Sequence, residues 1–377
     1  MNKQPIETGY TTAWLSKSAL EHNVEQLRRH LNRNTKICGV VKADCYGHGW
    51  DTCLKTIAQN VDFLGVATLE EASSVAAKSY GPNILAFSVP AAASHSLLKD
   101  VISLDVVLTI TSMADMETVS SVAATINQVA RVHVKVDTGM ARSGVWHSCA
   151  TSLIQKVRSQ PNIELEGLYT HFSSADERDK TPTRQQFDQF MNIVSAAGGA
   201  DELLLHACNS SATLDLPEYQ LGMVRPGIAI YGIQPSLETE RTLDLKPILK
   251  LTGRLVAIKE VPAGTRIGYG RTYECQRAAR IGLVQVGYAD GYRRVFSNNA
   301  DMRLNGTTIP VRGNVSMDQT VVDISNVANA TIGDEVEIFS PQSSAPNSVS
   351  TLATRSGLIP YEILCGLGDR VDRILIK

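Results

Sequence analysis

VVKADCYGHG, residues 40–49, carries an apolar run into Lys42 and then places Asp44, Tyr46, Gly47, His48 and Gly49 within the next seven positions. An ammonium at the end of a buried strand is unfavourable unless it is paired or chemically changed. Either Lys42 snorkels to solvent or pairs with Asp44, or it is desolvated, loses basicity and serves as an amine nucleophile of the kind that forms Schiff bases. Other apolar runs also end in groups that could do chemistry. Lys135 is followed by Asp137-Thr138-Gly139 and Arg142, His171 closes ELEGLYTH, LLLHA leads into CNSSA with Asn209, Ser210 and Ser211, and Arg225 precedes Gly227-Ile228.

These residues need a scaffold that gathers strand ends. Between residues 36 and about 232, eight apolar runs (37–42, 62–67, 83–89, 106–110, 131–136, 164–171, 203–207 and 223–232) alternate with helix-like stretches. TLEEASSVAAKS and SMADMETVSSVAATINQ show the Ser/Thr starts, acidic first turns and three-to-four spacing of amphipathic helices. Eight such units predict an α/β fold, a (β/α)8 barrel, over residues 11–242. An open dinucleotide-binding sheet would need a GxGxxG turn, which is absent.

After residue 243 the segments LTGRLVAIKEVPAG, RIGLVQVGYADG, MRLNGTTIPVRGNVSMDQTVVDI and GDEVEIF are short, β-branched and broken by Gly, Pro and Asn. They predict a mostly β carboxyl-terminal domain over residues 243–377. The first ten or so residues are expected to add a strand to it, and PQSSAPNSVS (341–350) reads as an exposed loop.

Barrels of this kind place chemistry at the carboxyl ends of their strands, with phosphate often held by the loops after strands 7 and 8. That rim would unite Lys42, Lys135, Arg142, His171 and Arg225 with the hydroxyl-rich CNSSA loop and Gly227. Backbone N–H groups freed at a glycine, with a serine hydroxyl, suit a phosphate dianion. With an amine nucleophile opposite, pyridoxal phosphate is the economical cofactor, because its aldehyde condenses with lysine.

The 377 residues are 43% hydrophobic and 20% charged, with formal net charge -2. No concentrated basic face suggests nucleic acid as a partner. No segment has signal-peptide or membrane-span character, so no membrane association and a cytoplasmic location are expected. Seven cysteines, at 38, 45, 53, 149, 208, 275 and 365, lack metal-ligand spacing and fit reduced thiols, with Cys38 and Cys208 as small core residues.

VVKADCYGHG, VKVDTGMARSG, YTHFSSADE, HACNSSA, VRPGIAIYG, IGYGRTY, VGYADGYRR, VSMDQ and IPYEI, in this order from about residue 10 to the carboxyl end, resemble the motifs of bacterial alanine racemases. The resemblance implies a pyridoxal-phosphate barrel, a carboxyl-terminal β domain and a head-to-tail homodimer in which each active site borrows residues from the partner's β domain. It implies interconversion of L- and D-alanine for peptidoglycan. The alternative within the family is serine, or broad specificity including basic amino acids, since one methylene shifts discrimination by only about 1–3 kcal/mol. Fold-related decarboxylases would need a glycine-rich phosphate loop and a cysteine motif that are absent. Barrel-only cofactor-homeostasis proteins would lack the β domain.

By the same resemblance Lys42 carries the cofactor as a Schiff base and then acts as one proton-transfer base. Tyr269, supplied by the partner, acts as the other, with His171 and Arg225 forming its relay. A phenol titrates near pH 10, so such a base needs positive charge nearby. The bland alternatives are a surface tyrosine and a satisfied core histidine. Arg225 is expected to face the pyridine nitrogen and leave it unprotonated, which makes the cofactor a weaker electron sink. Tyr46, Asn209, Ser210, Gly227, Ile228 and Tyr361 match cofactor-binding positions. Arg142 matches the arginine near the cofactor's phenolic oxygen and the substrate carboxylate, and Met317, from the partner, offers that carboxylate its backbone N–H. Tyr288 narrows the substrate entrance, with Asp176 and Arg294 as an outer corridor or a solvated pair. Lys135 matches a lysine that is often carbamylated; otherwise it is a barrel-interior cation paired with Asp137. Asn314 stands where homologues carry arginine, and Ser316 where others carry cysteine.

Overall fold

The computed structural model describes residues 9–377. Strand β1 (Thr11–Ser16) is followed by the barrel strands β2 (Lys36–Val40), β3 (Phe63–Val66), β4 (Asn83–Ala86), β5 (Leu108–Ile110) and β6 (Ala130–Asp137), then the short β7 (Val145–Trp146), and β8 (Ile163–Tyr169), β9 (Leu204–His206) and β10 (Met223–Val224). β2 to β6 and β8 to β10 pair in parallel, in the order β4-β3-β2-β10-β9-β8-β6-β5. Hydrogen bonds from Ala86 N to Val107 O (3.0 Å) and Val107 N to Ile84 O (2.8 Å) close the ring between β4 and β5. The fold is the expected eight-stranded parallel barrel.

Strands covered on both faces must be apolar throughout. Accordingly β3 is buried along its whole length, as is β2 after Lys36. Surrounding helices start where side-chain oxygens cap free N–H groups: Ser16, Thr68, Ser94 and Ser112 each accept from the backbone three residues on. A cap of this kind contributes about 1 kcal/mol.

Several strands are shorter than the apolar runs that predict them, and two of these shortenings shape the site. β2 stops at Val40, and Ala43, Asp44, Cys45 and Tyr46 form a left-handed turn with φ of 51° to 55°. Non-glycine residues in this region cost on the order of 1 kcal/mol each. The turn is held by Ala43 N to Glu71 Oε1 (2.8 Å), Trp50 N to Asp44 Oδ1 (2.6 Å), Trp50 Nε1 to Val41 O (2.8 Å) and Arg373 Nε to Gly47 O (2.9 Å). β10 ends at Val224, because Pro226 brings no donor and a 3-10 turn runs over Ile228–Tyr231.

The carboxyl-terminal part contains β11 (Leu249–Val261), β12 (Arg266–Ile267), β13 (Tyr273–Glu274), β14 (Ala279–Val284), β15 (Asp301–Leu304), β16 (Thr307–Pro310), β17 (Thr320–Asp323), β18 (Glu335–Phe339) and β19 (Asp372–Ile376). The long β11 organises it, pairing antiparallel with β1, β14 and β18. β1 belongs to this sheet, flanked by β11 and β19. The amino-terminal strand that joins the β domain is therefore Thr11–Ser16, inside the expected barrel range; the expectation for the residues before Gly9 lies outside the described residues. The 341–350 loop is exposed only in its first half. Asn347 and Ser348 are buried, and Ser348 caps the helix Val349–Ser356.

Cys38 and Cys208 are fully buried and all seven cysteines are free thiols. No described helix is long and apolar enough to cross a membrane.

Candidate active site

The carboxyl ends of the barrel strands open into a cavity of about 380 Å³, a volume suited to a small organic ligand. Lys42, Tyr46, Lys135, Arg142, His171, Asn209, Ser210, Arg225, Gly227, Ile228 and Tyr361 all line it. Phe87, Tyr169 and Cys365 line it too, and were not singled out from the sequence. Tyr361 and Cys365 come from the carboxyl-terminal helix Pro360–Leu364 and its end, so the cavity lies between the barrel mouth and that segment.

Lys42 is half-buried and makes no ion pair with Asp44 among the described residues; the Asp44 carboxylate accepts the Trp50 N–H instead. Burial, then the nearby Arg142 charge, lowers its pKa. Lys42 is thus neither paired with Asp44 nor fully exposed. Lys135 is buried, with its ammonium 5.8 Å from the centre of the Tyr169 ring. Burial and the charges of Arg225 and Arg142 bring its pKa down to about 8. Among the described residues it has no ion pair with Asp137, whose carboxylate accepts the N–H groups of Gly139 (3.0 Å), Ala141 (3.1 Å) and Arg142 (3.1 Å) and so shapes the turn that carries Arg142.

Arg225, nearly fully buried, is the hub of the opposite wall. Its Nη1 donates to His206 Nδ1 (2.7 Å), while Nη2 donates to Thr170 O (2.8 Å), Ala207 O (3.0 Å) and His171 Nδ1 (3.3 Å). A guanidinium has no acceptor, so both imidazoles must be unprotonated at Nδ1. His171 then presents an Nε2–H, and His206 uses its own for His133 Nδ1 at 2.8 Å. Burial and then surrounding cations depress all three imidazoles, His133 to about 3 and the other two well below the usual range. Neither His133 nor His206 was singled out from the sequence. The signal was partly present: His206 is an imidazole inside the otherwise apolar run LLLHA, and His133 alternates with valines in RVHVKV at the same face as Arg131 and Lys135.

At the cavity floor the Ser210 hydroxyl accepts the Gly227 N–H at 2.9 Å and lies 3.5 Å from the Ala229 N–H. Its lone pairs occupied, the hydroxyl keeps its proton for an anion. A Cβ at Gly227 would overlap the Tyr46 hydroxyl, so only glycine lets that phenol sit against the backbone. Hydroxyls, a glycine backbone and four surrounding cations fit a phosphorylated group, and the amine of Lys42 fits its aldehyde.

Tyr269, Tyr288 and Met317 are elsewhere. They do not line the cavity, and are 75%, 43% and 53% exposed. Tyr269 sits at the tip of the β12–β13 hairpin, where Asn314 Nδ2 donates to its carbonyl at 2.8 Å. Asp176 lies near enough to Tyr361 to help raise its pKa, after burial, but among the described residues forms no ion pair with the exposed Arg294.

Comparison with known proteins agrees with this architecture. Residues 15–235 match the family model for the alanine racemase N-terminal domain and residues 248–375 that for the C-terminal domain. The alanine racemase of Halothermothrix orenii is 39% identical over 376 residues, covering 99% of this chain and 98% of the relative. That of Desulfovibrio desulfuricans is 37% identical over 370 residues, covering 97% and 98%. The crystal structure of alanine racemase from D-cycloserine-producing Streptomyces lavendulae superposes with a TM-score of 0.92 at 30% identity, covering 100% of this chain and 98% of the other. The Bartonella henselae enzyme, described with covalently bound pyridoxal phosphate, shares the fold with a TM-score of 0.86 at 24% identity over 98% and 100%. With both domain models matched and full-length relatives at this identity, the chain belongs to the alanine racemase family of isomerases.

Proposed function

We propose that the protein interconverts L- and D-alanine with pyridoxal phosphate, using Lys42 and a Tyr269 supplied by a second copy as opposed proton-transfer groups. The observation that carries this reading is the meeting, in one cavity, of a half-buried Lys42, its basicity lowered, with the His171–Arg225 pair and the Ser210–Gly227 contact.

When bound, pyridoxal phosphate acidifies the α-C–H of an amino acid condensed with its aldehyde. Ser210, Tyr46, Tyr361 and the backbone at Gly227 and Ile228 would hold its phosphate, with Asn209 beside them on the cavity wall. Arg225, a group that only donates, would stand toward the cofactor's ring nitrogen and would favour its unprotonated form. Arg142, with the Met317 N–H supplied by a second copy, would take the substrate carboxylate. Lys42 Nζ holds a proton on one face of the α-carbon.

The other face needs a second group, and Tyr269 is too exposed to serve its own cavity. A head-to-tail homodimer brings it to the partner's His171, whose Nε2–H donates to the phenolate and favours it over the phenol. Lys135, with a pKa of about 8, holds an appreciable neutral fraction near neutrality and can take up carbon dioxide as a carbamate that fixes Arg142. D-alanine for peptidoglycan in the cytoplasm is the role this activity serves.

The test is proton NMR of cofactor-loaded protein in heavy water with L-alanine, L-serine, L-lysine and L-arginine offered separately. Loss of the α-proton signal with D-product, confined mainly to alanine, is expected. Comparable turnover of a larger substrate moves the function to a broad-specificity racemase, and no exchange with any of them refutes racemisation of alanine and points to a different substrate or to a Lys42 without a catalytic role.

A further inference from the structure

Three loops of the β domain are locked into one surface. The Ser316 N–H donates to Gln319 O (3.0 Å), the Ser316 carbonyl accepts Tyr288 N (3.1 Å) and the Met317 carbonyl accepts Ala289 N (3.0 Å). The Met317 N–H, by contrast, has no intramolecular partner among the described residues. Gly287 makes the contact possible, since a Cβ there would overlap the carbonyls of Ser316 and Met317.

One side chain ties this arrangement together. Arg370 Nε contacts Asp290 Oδ1 at 3.0 Å and Arg370 Nη1 donates to Asp318 Oδ1 at 2.8 Å. Asp290 is buried, and its other oxygen accepts the Gly287 N–H at 2.9 Å, capping the 3-10 turn Tyr288–Asp290. The Gly368 N–H donates to Asp290 O at 3.2 Å, docking the segment before Arg370 onto the same turn. One guanidinium thus bridges two carboxylates, one in the turn that begins with Tyr288 and one directly after Met317, and screens them from each other. Without it the two like charges face each other, one of them buried, and the loops are driven apart.

We propose that Arg370 is a positioning residue for recognition of the substrate carboxylate, holding the Met317 N–H and Tyr288 in fixed register through Asp290 and Asp318. The inference rests on the reading above, in which Met317 serves the partner's cavity. Arg370 touches no substrate itself, so its loss weakens binding of the carboxylate equally in ground and transition states, a change that raises KM and leaves kcat.

The experiment compares cofactor-loaded wild type with Arg370→Gln, Arg370→Lys and the double variant Arg370→Gln/Asp318→Asn. Alanine kinetics are measured in both directions, with inhibition by propionate, a carboxylate with no amine to condense, and with dimer mass by sedimentation. Arg370→Gln is expected to raise KM and the propionate inhibition constant together by about tenfold with kcat within about twofold. Arg370→Lys should fall between, and removing the opposing carboxylate in the double variant should recover part of the loss. Unchanged KM and propionate inhibition in Arg370→Gln, or a defect cured by raising protein concentration until the dimer reforms, overturns the proposal. A wild type that racemises no amino acid overturns the underlying reading instead, and the proposal with it.

Discussion

Arg225 donates a hydrogen bond to His206 Nδ1 at 2.7 Å, and this one bond sets the tautomers of a line of imidazoles running into the barrel. Because the guanidinium only donates, His206 must carry its hydrogen on Nε2, His133 accepts it, and His171 on the other branch keeps Nε2–H toward the cavity mouth. Nitrogen NMR of labelled protein should show these rings neutral, with unprotonated Nδ1, across the neutral range. Replacing His206 by Leu removes a charge-assisted hydrogen bond of roughly 1.5–3 kcal/mol. It should free Arg225 and broaden the His171 signal, and an unchanged His171 spectrum would separate the two branches.

The same burial makes stability depend on pH. His133 and His48 have folded-state pKa values of about 3 and about 4, below the unfolded value near 6.5. Below pH 6.5 the unfolded chain takes up protons that the folded chain refuses. Stability is therefore fully present above that pH and declines as pH falls toward 4, by roughly 1.4 kcal/mol per pH unit for each such imidazole. Urea unfolding at a series of pH values checks the slope, which should become shallower by one proton in His133→Asn. A flat profile between pH 6.5 and 5 would contradict it.

Gly227→Ala places a methyl group where the Tyr46 hydroxyl sits. Tyr46 has to move, and with it one of the groups proposed to hold the phosphate. Pyridoxal-phosphate affinity, followed by cofactor absorbance or fluorescence titration, should fall about tenfold or more while the thermal transition of the cofactor-free protein stays within a few degrees.

Tyr269→Phe removes the phenol and leaves the hairpin that carries it intact. Racemisation should drop by roughly 10² to 10⁴-fold, the range for loss of a general acid or base. In heavy water, α-proton exchange of D-alanine should survive better than that of L-alanine, because Lys42 still serves its own face. Wild-type exchange in both directions would remove Tyr269 from the mechanism.

Lys135, with its pKa brought down to about 8, should take up isotopically labelled bicarbonate as a carbamate visible by carbon NMR and absent in Lys135→Ala. A carbamate-free wild type saturated with bicarbonate would leave Lys135 as a buried cation over Tyr169.

The eight barrel strands were legible because strands buried on both faces read as uninterrupted apolar runs, and the helices because their caps stand in the sequence. Lys42, His171, Arg225 and Ser210 were legible as polar residues ending such runs. What the letters did not carry is long-range. The left-handed turn after Val41 depends on Glu71, Trp50 and Arg373, and His206 matters only because Arg225 folds onto it. Thr11–Ser16 reads as the start of the barrel until its pairing with β11 and β19 is seen. Arg370 carried no local signal at all, since its two carboxylates are 80 and 52 positions away.

Complementation between two inactive variants tests the shared site most directly. Lys42→Ala retains Tyr269 and Tyr269→Phe retains Lys42, so dissociating, mixing and reassociating them in equal amounts rebuilds one intact site in each mixed dimer. The account predicts recovery of about one quarter of the wild-type rate per chain, as random pairing of symmetric dimers requires. Mixed dimers no more active than either parent would contradict it and place both groups on one chain.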